Sequence, residues 1–220
     1  MFFNRSSLIA HRSSAASQRG QTLIETVVAL FILTTGLAAG LTLAVYALSS
    51  SSVSSNKVLA SALAREGLEG VRRMRDSNWL AGNLNDCNGQ ICYANWLSQV
   101  YNITGSGSGT TYRLMFNPSS FDAGKWTLAP AGVGTDYRLY LYGGSGYTHV
   151  YNGWHSSPFF RQIIITNQST ASPYDATSPL MSVKSIVWWW DENCPMELSN
   201  PALTVCKVVA EEYLTNWKNY

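Results

Sequence analysis

The feature that most constrains this chain is an apolar run near its N terminus that follows a single carboxylate. Residues 26–48 contain no charged side chain, and Glu25 stands immediately before them. As a helix, this run of roughly 23 residues rises about 35 Å, enough to cross a hydrocarbon core of about 30 Å. A charge at membrane depth costs about 2.5–3.5 kcal/mol, so such a residue is a candidate for function. The run predicts a membrane-spanning helix, and Glu25 is its candidate functional residue.

The six residues from Gly20 to Glu25, with sequence GQTLIE, supply the second observation. Together with the apolar run they resemble the class III signal of type IV prepilins and type II secretion pseudopilins. The resemblance implies cleavage by a prepilin peptidase between Gly20 and Gln21, methylation of the new N terminus, and a role for Glu25 in subunit assembly. The chain departs from the family pattern at Gln21, where phenylalanine or methionine is usual. The implied partners are other pilin subunits, identical or different, an assembly platform protein and a cytoplasmic ATPase.

The chemistry of Glu25 indicates how assembly would work. Cleavage would create a cationic α-amine at Gln21. A neighbouring helix that is shifted along its axis could present this amine to Glu25, and such a pair is strongly favoured over a lone charge at low dielectric. Gly36 and Gly40 form a small-xxx-small pair that would let membrane helices approach closely. Glycine that is merely tolerated in a membrane helix explains the pair equally well.

The charge pattern predicts topology and domain organisation. The segment 1–20 holds three arginines and no acid, which indicates a cytoplasmic leader under the positive-inside rule. We expect the leader at 1–20, an N-terminal helix at 21–78 with its transmembrane part at about 26–48, and an extracytoplasmic head at 79–220. The protein would therefore be a single-pass cytoplasmic membrane protein in contact with lipid, and would reach the pilus or cell surface after assembly.

The net charge argues against nucleic acid as a partner. The sequence carries a formal net charge of +2, and removal of the leader with its three arginines leaves −1. Charged residues make up 13% of the chain, so there is no basic surface of the kind that binds phosphate backbones.

Two alternatives to a polymerising subunit stay open at this stage. Val45-Tyr46-Ala47 resembles the small-residue site of ordinary signal peptidase, and its use would release a secreted domain that begins near Leu48. The length of the apolar run and the position of Glu25 disfavour that cleavage. The other alternative is a surface binding or adhesion module that the same helix anchors in the membrane and that does not polymerise.

Beyond a serine-rich stretch at 49–55, helical periodicity resumes at Lys57. Apolar residues recur at spacings of three and four, which predicts one buried face. Glu66 and Glu69 are expected on a solvated surface, with Glu69 in i,i+4 pairs on the helix. Polar turn-forming residues at 75–78 predict the end of the helix.

The residues after Trp79 are rich in tyrosine, glycine and β-branched side chains, which favour strands. Strands are predicted at 112–116, 137–142, 159–166, 182–190 and 207–214, the last two as an antiparallel pair. The fold class is therefore α+β, with a long N-terminal helix packed on a mainly antiparallel sheet. The order of elements towards the C terminus is similar to the heads of minor pilins and pseudopilins. The consecutive residues Trp188, Trp189 and Trp190 cannot all face inward, because neighbours in a strand alternate.

The four cysteines all follow the membrane segment, which suits an oxidising exterior and two disulfides. Cys87 and Cys92 flank an Asn-Gly turn, and Cys194 and Cys206 would then pair across the final loop. Four cysteines allow three connectivities, which sequence alone leaves open. Asp191 and the two polar residues after it could bind calcium, but a polar turn is the commoner explanation. We expect no catalytic set, no metal site and no cofactor, and therefore a protein that is not an enzyme.

Overall fold

The computed structural model describes residues 21–81, 96–98, 100–117, 126–132, 136–143, 146–151, 153, 155–169, 179–191, 194 and 206–216. The chain divides into two compact units, Met1–Ser51 and Ser52–Tyr220.

One helix, α1, spans Gln21–Leu80. It extends two residues beyond the predicted end, because Asn78 lies inside it and does not terminate it. The Asn78 side-chain amide donates to the carbonyl oxygens of Trp96 and Tyr101, and its Oδ1 accepts from the backbone N–H groups of Val100 and Tyr101. The buried polar side chain thus holds the segment that follows the helix.

The strands of the second unit form one mainly antiparallel sheet. Within the described residues they are β1 Thr110–Phe116, β2 Trp126–Pro130, β3 Arg138–Tyr142, β4 Gly146–Thr148, β5 His155–Gln168, β6 Leu180–Trp189 and β7 Lys207–Leu214. The predicted α+β class, with a long N-terminal helix on an antiparallel sheet, is confirmed. The short strands β2 and β4 were not predicted from the sequence.

The sheet is organised around the long strand β5. One side of β5 pairs with β6 from Phe159 to Gln168, and β7 pairs with the far side of β6. The other side is shared by two strands: β1 pairs with Ile163–Ile165, and β3 pairs with the N-terminal part of β5. β2 extends the sheet from β1, and β4 extends it from β3. Arg161 lies between the part of β5 that pairs with β3 and the part that pairs with β1, and we call this position the fork in the sheet.

The C-terminal part of α1 packs on one face of this sheet. Its buried side chains include Leu63, Val71 and Met74, and they share a core with apolar residues of β5 and β6. The helix approaches closely at Gly67, where a Cβ atom would lie 2.4 Å from the Oγ atom of Ser185 and 2.9 Å from the Cδ1 atom of Ile163. The absence of a side chain at Gly67 therefore sets the packing distance between helix and sheet.

The three consecutive tryptophans take three different environments. Trp189 belongs to the cluster that packs against α1, whereas Trp188 lies in a separate cluster, stacked on Phe160 and covered by Tyr137. Trp190 follows the strand and is 58% exposed. The prediction that the three side chains cannot share one face is confirmed.

Candidate functional site

The N-terminal part of α1 presents an apolar surface that no other described residue covers. Side chains from Thr22 to Leu48 are all exposed, including large ones such as Phe31 and Leu41. One 18-residue window of this helix has a mean hydropathy of 2.2, and none of it is buried. Soluble monomers rarely expose contiguous apolar patches of more than a few hundred Å². The length and composition of the helix suit a single-pass membrane anchor.

Four threonine hydroxyl groups on the N-terminal part of this helix bond to the helix itself. The Oγ1 atom of Thr26 donates to the carbonyl oxygen of Leu23 at 2.9 Å, and that of Thr42 donates to Ala38 at 2.8 Å. Thr34 and Thr35 make the same kind of bond to the preceding turn. A hydroxyl that bonds to its own backbone needs neither water nor a second chain.

Glu25 differs from these threonines. It is the one charged residue between Gln21 and Leu48. Its side chain is exposed on the helix surface, and within the described residues its carboxylate has no hydrogen bond or ion pair. A carboxylate in that position has to obtain its partner from water, from lipid head groups or from another molecule.

Gly36 and Gly40 lie four residues apart on α1, so they share one face of the helix. A Cβ atom at either position would meet no atom within 4 Å. The described part of the chain therefore leaves open space over both glycines, and the geometry permits a second helix to approach the backbone there.

The comparison with protein-family models decides what kind of segment this is. Residues 15–41 match the family model described as the prokaryotic N-terminal methylation motif. The chain carries the type IV pilin and pseudopilin signal. A search of the curated proteins and a search of the solved structures both found no match. The resemblance predicted from the GQTLIE segment is confirmed, and the signal favours a structural subunit over an enzyme.

Some of the remaining predicted site residues lie within the described part of the chain and others lie outside it. Gly20 lies outside the described residues, as do Cys87 and Cys92. Gln21 is the first residue of α1. The structure joins Cys194 to Cys206 in a disulfide with a Cα–Cα distance of 5.7 Å.

The second unit contains a buried ionic site that the sequence did not reveal. The Arg161 side chain is fully buried, and its Nη1 atom lies 3.2 Å from the Oε2 atom of Glu66. Nη1 also donates to the Leu63 carbonyl at 3.4 Å, and Nη2 to the Leu114 carbonyl at 3.5 Å. Burial lowers the pKa of Arg161, and the charge of Glu66 opposes that shift. Arg161 thus connects the helix to the fork in the sheet.

This finding corrects the interpretation of Glu66 and Glu69 as equivalent surface residues. Glu66 is paired with a buried guanidinium, whereas Glu69 is exposed and pairs with Arg72 at i,i+3. The helical pattern could not predict the difference, because the partner of Glu66 is 95 residues away in sequence.

His149 is buried near the same site. Its Nδ1–H group donates to the Arg138 carbonyl at 3.1 Å, while Nε2 has no hydrogen-bond partner among the described residues. Burial lowers the pKa of His149 well below its ordinary value, and the nearby positive charges of Arg161 and Arg113 lower it further. The imidazole is therefore neutral at physiological pH.

Within the described residues, no group of three or more histidine, cysteine, aspartate or glutamate side chains comes together. Asp191 accepts a hydrogen bond from Asn56 at 3.2 Å. Glu192 and Asn193, the other two residues of the calcium hypothesis, lie outside the described part of the chain.

Proposed function

We propose that this protein is a pilin-like structural subunit, stored in the membrane and assembled into a type IV pilus or a secretion pseudopilus. The observation that carries the proposal is Glu25, an exposed carboxylate in an apolar helix that also matches the methylation motif. The second unit serves as the head of the subunit and lies outside the cytoplasmic membrane.

The proposed maturation step is cleavage between Gly20 and Gln21 by a prepilin peptidase, followed by methylation of the new N terminus. Gln21 and Glu25 are separated by about 6 Å along the helix axis. A neighbouring subunit that is shifted along this axis brings its own amine to Glu25, so each subunit completes the charge pair of the next. Loss of one partner of such a pair at low dielectric costs about 3–5 kcal/mol.

The same mechanism defines the proposed partners. Copies of this chain or other pilins supply the amine, and Gly36 and Gly40 let their helices approach closely. An assembly platform and a cytoplasmic ATPase extract subunits from the lipid, where the apolar helix holds them before assembly. This scheme requires no cofactor bound to this chain, because separate proteins carry out the processing and the ATP hydrolysis.

The decisive experiment compares Glu25→Ala with Thr26→Val in cells that assemble the filament. We expect Glu25→Ala to insert into the membrane at the normal level and to be absent from sheared filaments. Thr26→Val is the matched control, because the Thr26 hydroxyl bonds only within its own helix, and it should assemble normally. Normal filament incorporation of Glu25→Ala would refute the assembly mechanism. Membrane-bound protein that never enters filaments, even with the natural sequence, would favour a non-polymerising binding module.

The mass of the mature protein tests the processing step independently. A chain that begins at Gln21, with or without an added methyl group, supports the prepilin pathway. A chain that begins near Leu48 would mean that ordinary signal peptidase had acted, and the subunit would then lack Glu25 altogether.

A further inference from the structure

The C-terminal end of strand β6 lies beside the first turns of α1 that belong to the second unit. The Nδ2 atom of Asn56 donates to the Oδ2 atom of Asp191 at 3.2 Å, and Asp191 directly follows Trp190. Ala60, one turn further along the helix, shares a cluster with Trp189. We call this the proximal end of the sheet, because it lies beside the residues with which the second unit begins.

The distal end of the sheet lies at the other end of β6. Val183 packs in the cluster that contains Val71 of α1, so β6 runs antiparallel to the helix. Tyr213 of β7 pairs with Ser182 at this distal end. Trp190 follows Ser182 by eight residues, and eight strand residues span about 27 Å. The two ends therefore provide well-separated positions on the same sheet.

Trp190 is displayed on the surface at the proximal end. Its backbone N–H group donates to the Pro158 carbonyl at 3.0 Å, so the sheet holds the backbone in place. The residue is 58% exposed. Four other tryptophans of the described chain are buried, namely Trp79, Trp96, Trp188 and Trp189. An exposed indole on an ordered backbone is available for contact with another molecule, and it offers both an apolar ring and an N–H donor.

The covalent chain keeps the proximal end close to the membrane anchor. The apolar run ends at Leu48, and Asn56 follows eight residues later in the same helix. Eight helical residues rise about 12 Å, a length that holds whatever angle the two units adopt. The head-group region of each leaflet is about 5–8 Å thick. An indole at the proximal end can therefore reach the head groups, whereas no such restraint applies to the distal end.

We propose that the proximal end of the head rests on the lipid surface while the subunit is stored in the membrane, with the Trp190 indole among the lipid head groups. Tryptophan concentrates at this interface, because its ring is apolar and its N–H group can bond to polar head groups. Lys57, the residue after Asn56, is exposed and supplies a cation that can pair with lipid phosphates. The inference rests on the proposed membrane anchor, but it requires neither Glu25 nor a neighbouring subunit.

Contact quenching in lipid vesicles tests this assignment. The full-length protein is reconstituted into phosphatidylcholine that carries bromine atoms close to the head group, which quench tryptophan only at contact. The natural protein should lose emission relative to the same vesicles without bromine. In Trp190→Phe the quenched part should shrink by about one eighth of the total emission, the share of one tryptophan among eight. Phenylalanine keeps an apolar ring at this position, so the variant changes the signal more than the structure.

The matched control moves this tryptophan to the distal end. Tyr213 is 57% exposed, nearly the same as Trp190, so Tyr213→Trp added to Trp190→Phe restores the number of tryptophans at a similar exposure. Quenching by the brominated lipid should stay at the level of Trp190→Phe. Iodide in the aqueous phase should give the reverse order, because it should quench the introduced tryptophan in vesicles and leave Trp190 shielded.

Three outcomes would overturn the proposal. Equal quenching of the natural protein and Trp190→Phe would place Trp190 outside the lipid. Quenching that Tyr213→Trp restores would mean that the head touches the membrane without preference for its proximal end. Shielding of Trp190 from iodide without quenching by the brominated lipid would assign the contact to a second copy of the chain.

Two further results separate this proposal from the proposed function. Glu25→Ala should leave the quenching by brominated lipid unchanged, because contact with lipid needs no neighbouring subunit. Failed filament assembly with normal quenching would therefore count against the assembly mechanism alone. A natural protein that did not insert into the vesicles would refute the membrane anchor, and both proposals would then fail together.

Discussion

The helix α1 carries a carboxylate in each of the two units, and the two carboxylates find partners in different ways. Glu66 lies 3.2 Å from the buried Arg161, a residue of the same chain. Glu25 has no such partner within the described residues, although its surroundings on the helix are apolar. A buried charge needs a compensating charge, and a protein can supply it from its own fold or from a neighbour. The second unit thus supplies the partner of its own buried charge, whereas in our proposal the partner of Glu25 comes from a neighbouring subunit.

The glycines of α1 repeat this contrast. A Cβ atom at Gly67 or Gly70 would collide with the sheet, at 2.4 Å from Ser185 and 2.7 Å from Leu114, respectively. Among the described residues, no atom would lie within 4 Å of a Cβ atom at Gly36 or Gly40. Identical residues therefore serve packing inside the chain in one unit and leave room for packing between chains in the other.

The strongest test of the head is Glu66→Ala. The change leaves the Arg161 guanidinium buried without its counter-charge, and we expect a loss of about 3–5 kcal/mol in the free energy of unfolding. All eight tryptophans lie at or beyond Trp79, so tryptophan fluorescence during urea unfolding in detergent reports on the head alone. The double variant Glu66→Met with Arg161→Met should lose much less, because no unpaired charge remains. Equal losses in the two proteins would show that packing, and not charge, explains the role of the pair.

Alanine substitution of a glycine should lower the stability of the head in the second unit and leave it unchanged in the first. Gly67→Ala forces Ser185 and Ile163 to move, and we expect a loss of about 1–3 kcal/mol in the stability of the head. Gly36→Ala meets no atom of the described residues, so it should leave the tryptophan-monitored unfolding unchanged while raising helix propensity by up to about 1 kcal/mol. If Gly36→Ala destabilised the head, or if Gly67→Ala did not, the two glycines would not differ in the way proposed here.

Acid should destabilise the head through His149. The pKa of His149 in the folded protein is well below the ordinary value of about 6.5. Below pH 6.5, therefore, this residue binds a proton in the unfolded chain but stays neutral in the folded chain. The free energy of unfolding should therefore fall as the pH drops from about 6.5, by up to about 1.4 kcal/mol per pH unit from this group. Unfolding curves at pH 7.5, 6.0 and 5.0 measure the slope.

His149→Gln is the control for that slope. Glutamine retains a donor for the Arg138 carbonyl but does not titrate. The variant should show a shallower decline of stability between pH 6.5 and pH 5, and an unchanged slope would assign the acid sensitivity to other groups.

The smallest effect is expected for Glu69→Ala. Glu69 is 63% exposed in its pair with Arg72, and Arg72 also pairs with Glu212. Exposed pairs contribute about 0–1 kcal/mol, so the loss should stay below about 0.5 kcal/mol. A loss comparable to that of Glu66→Ala would remove the distinction between the surface pair and the buried pair.

Local patterns predicted much of this fold. Periodicity predicted the helix, and runs of β-branched and aromatic residues predicted five of the strands, with β7 at its observed limits. Strand β4 has only three residues and β2 ends in Pro130, which weakens a strand pattern, and the pairing of both strands depends on β1 and β3. The end of the helix was predicted two residues early, because Asn78 and its neighbours are also typical turn residues. The site at Arg161 was missed for a related reason, since an arginine inside a strand pattern gives no indication of which distant carboxylate it meets.

The sequence by itself determined the character of the N-terminal helix, because apolar length, glycine spacing and the position of Glu25 are properties of consecutive residues. Only the tertiary structure decided that Glu66 meets Arg161, that Gly67 faces Ser185, and that β7 lies at an edge. Those facts depend on chain segments that are far apart in sequence and come together only when the sheet closes over the helix.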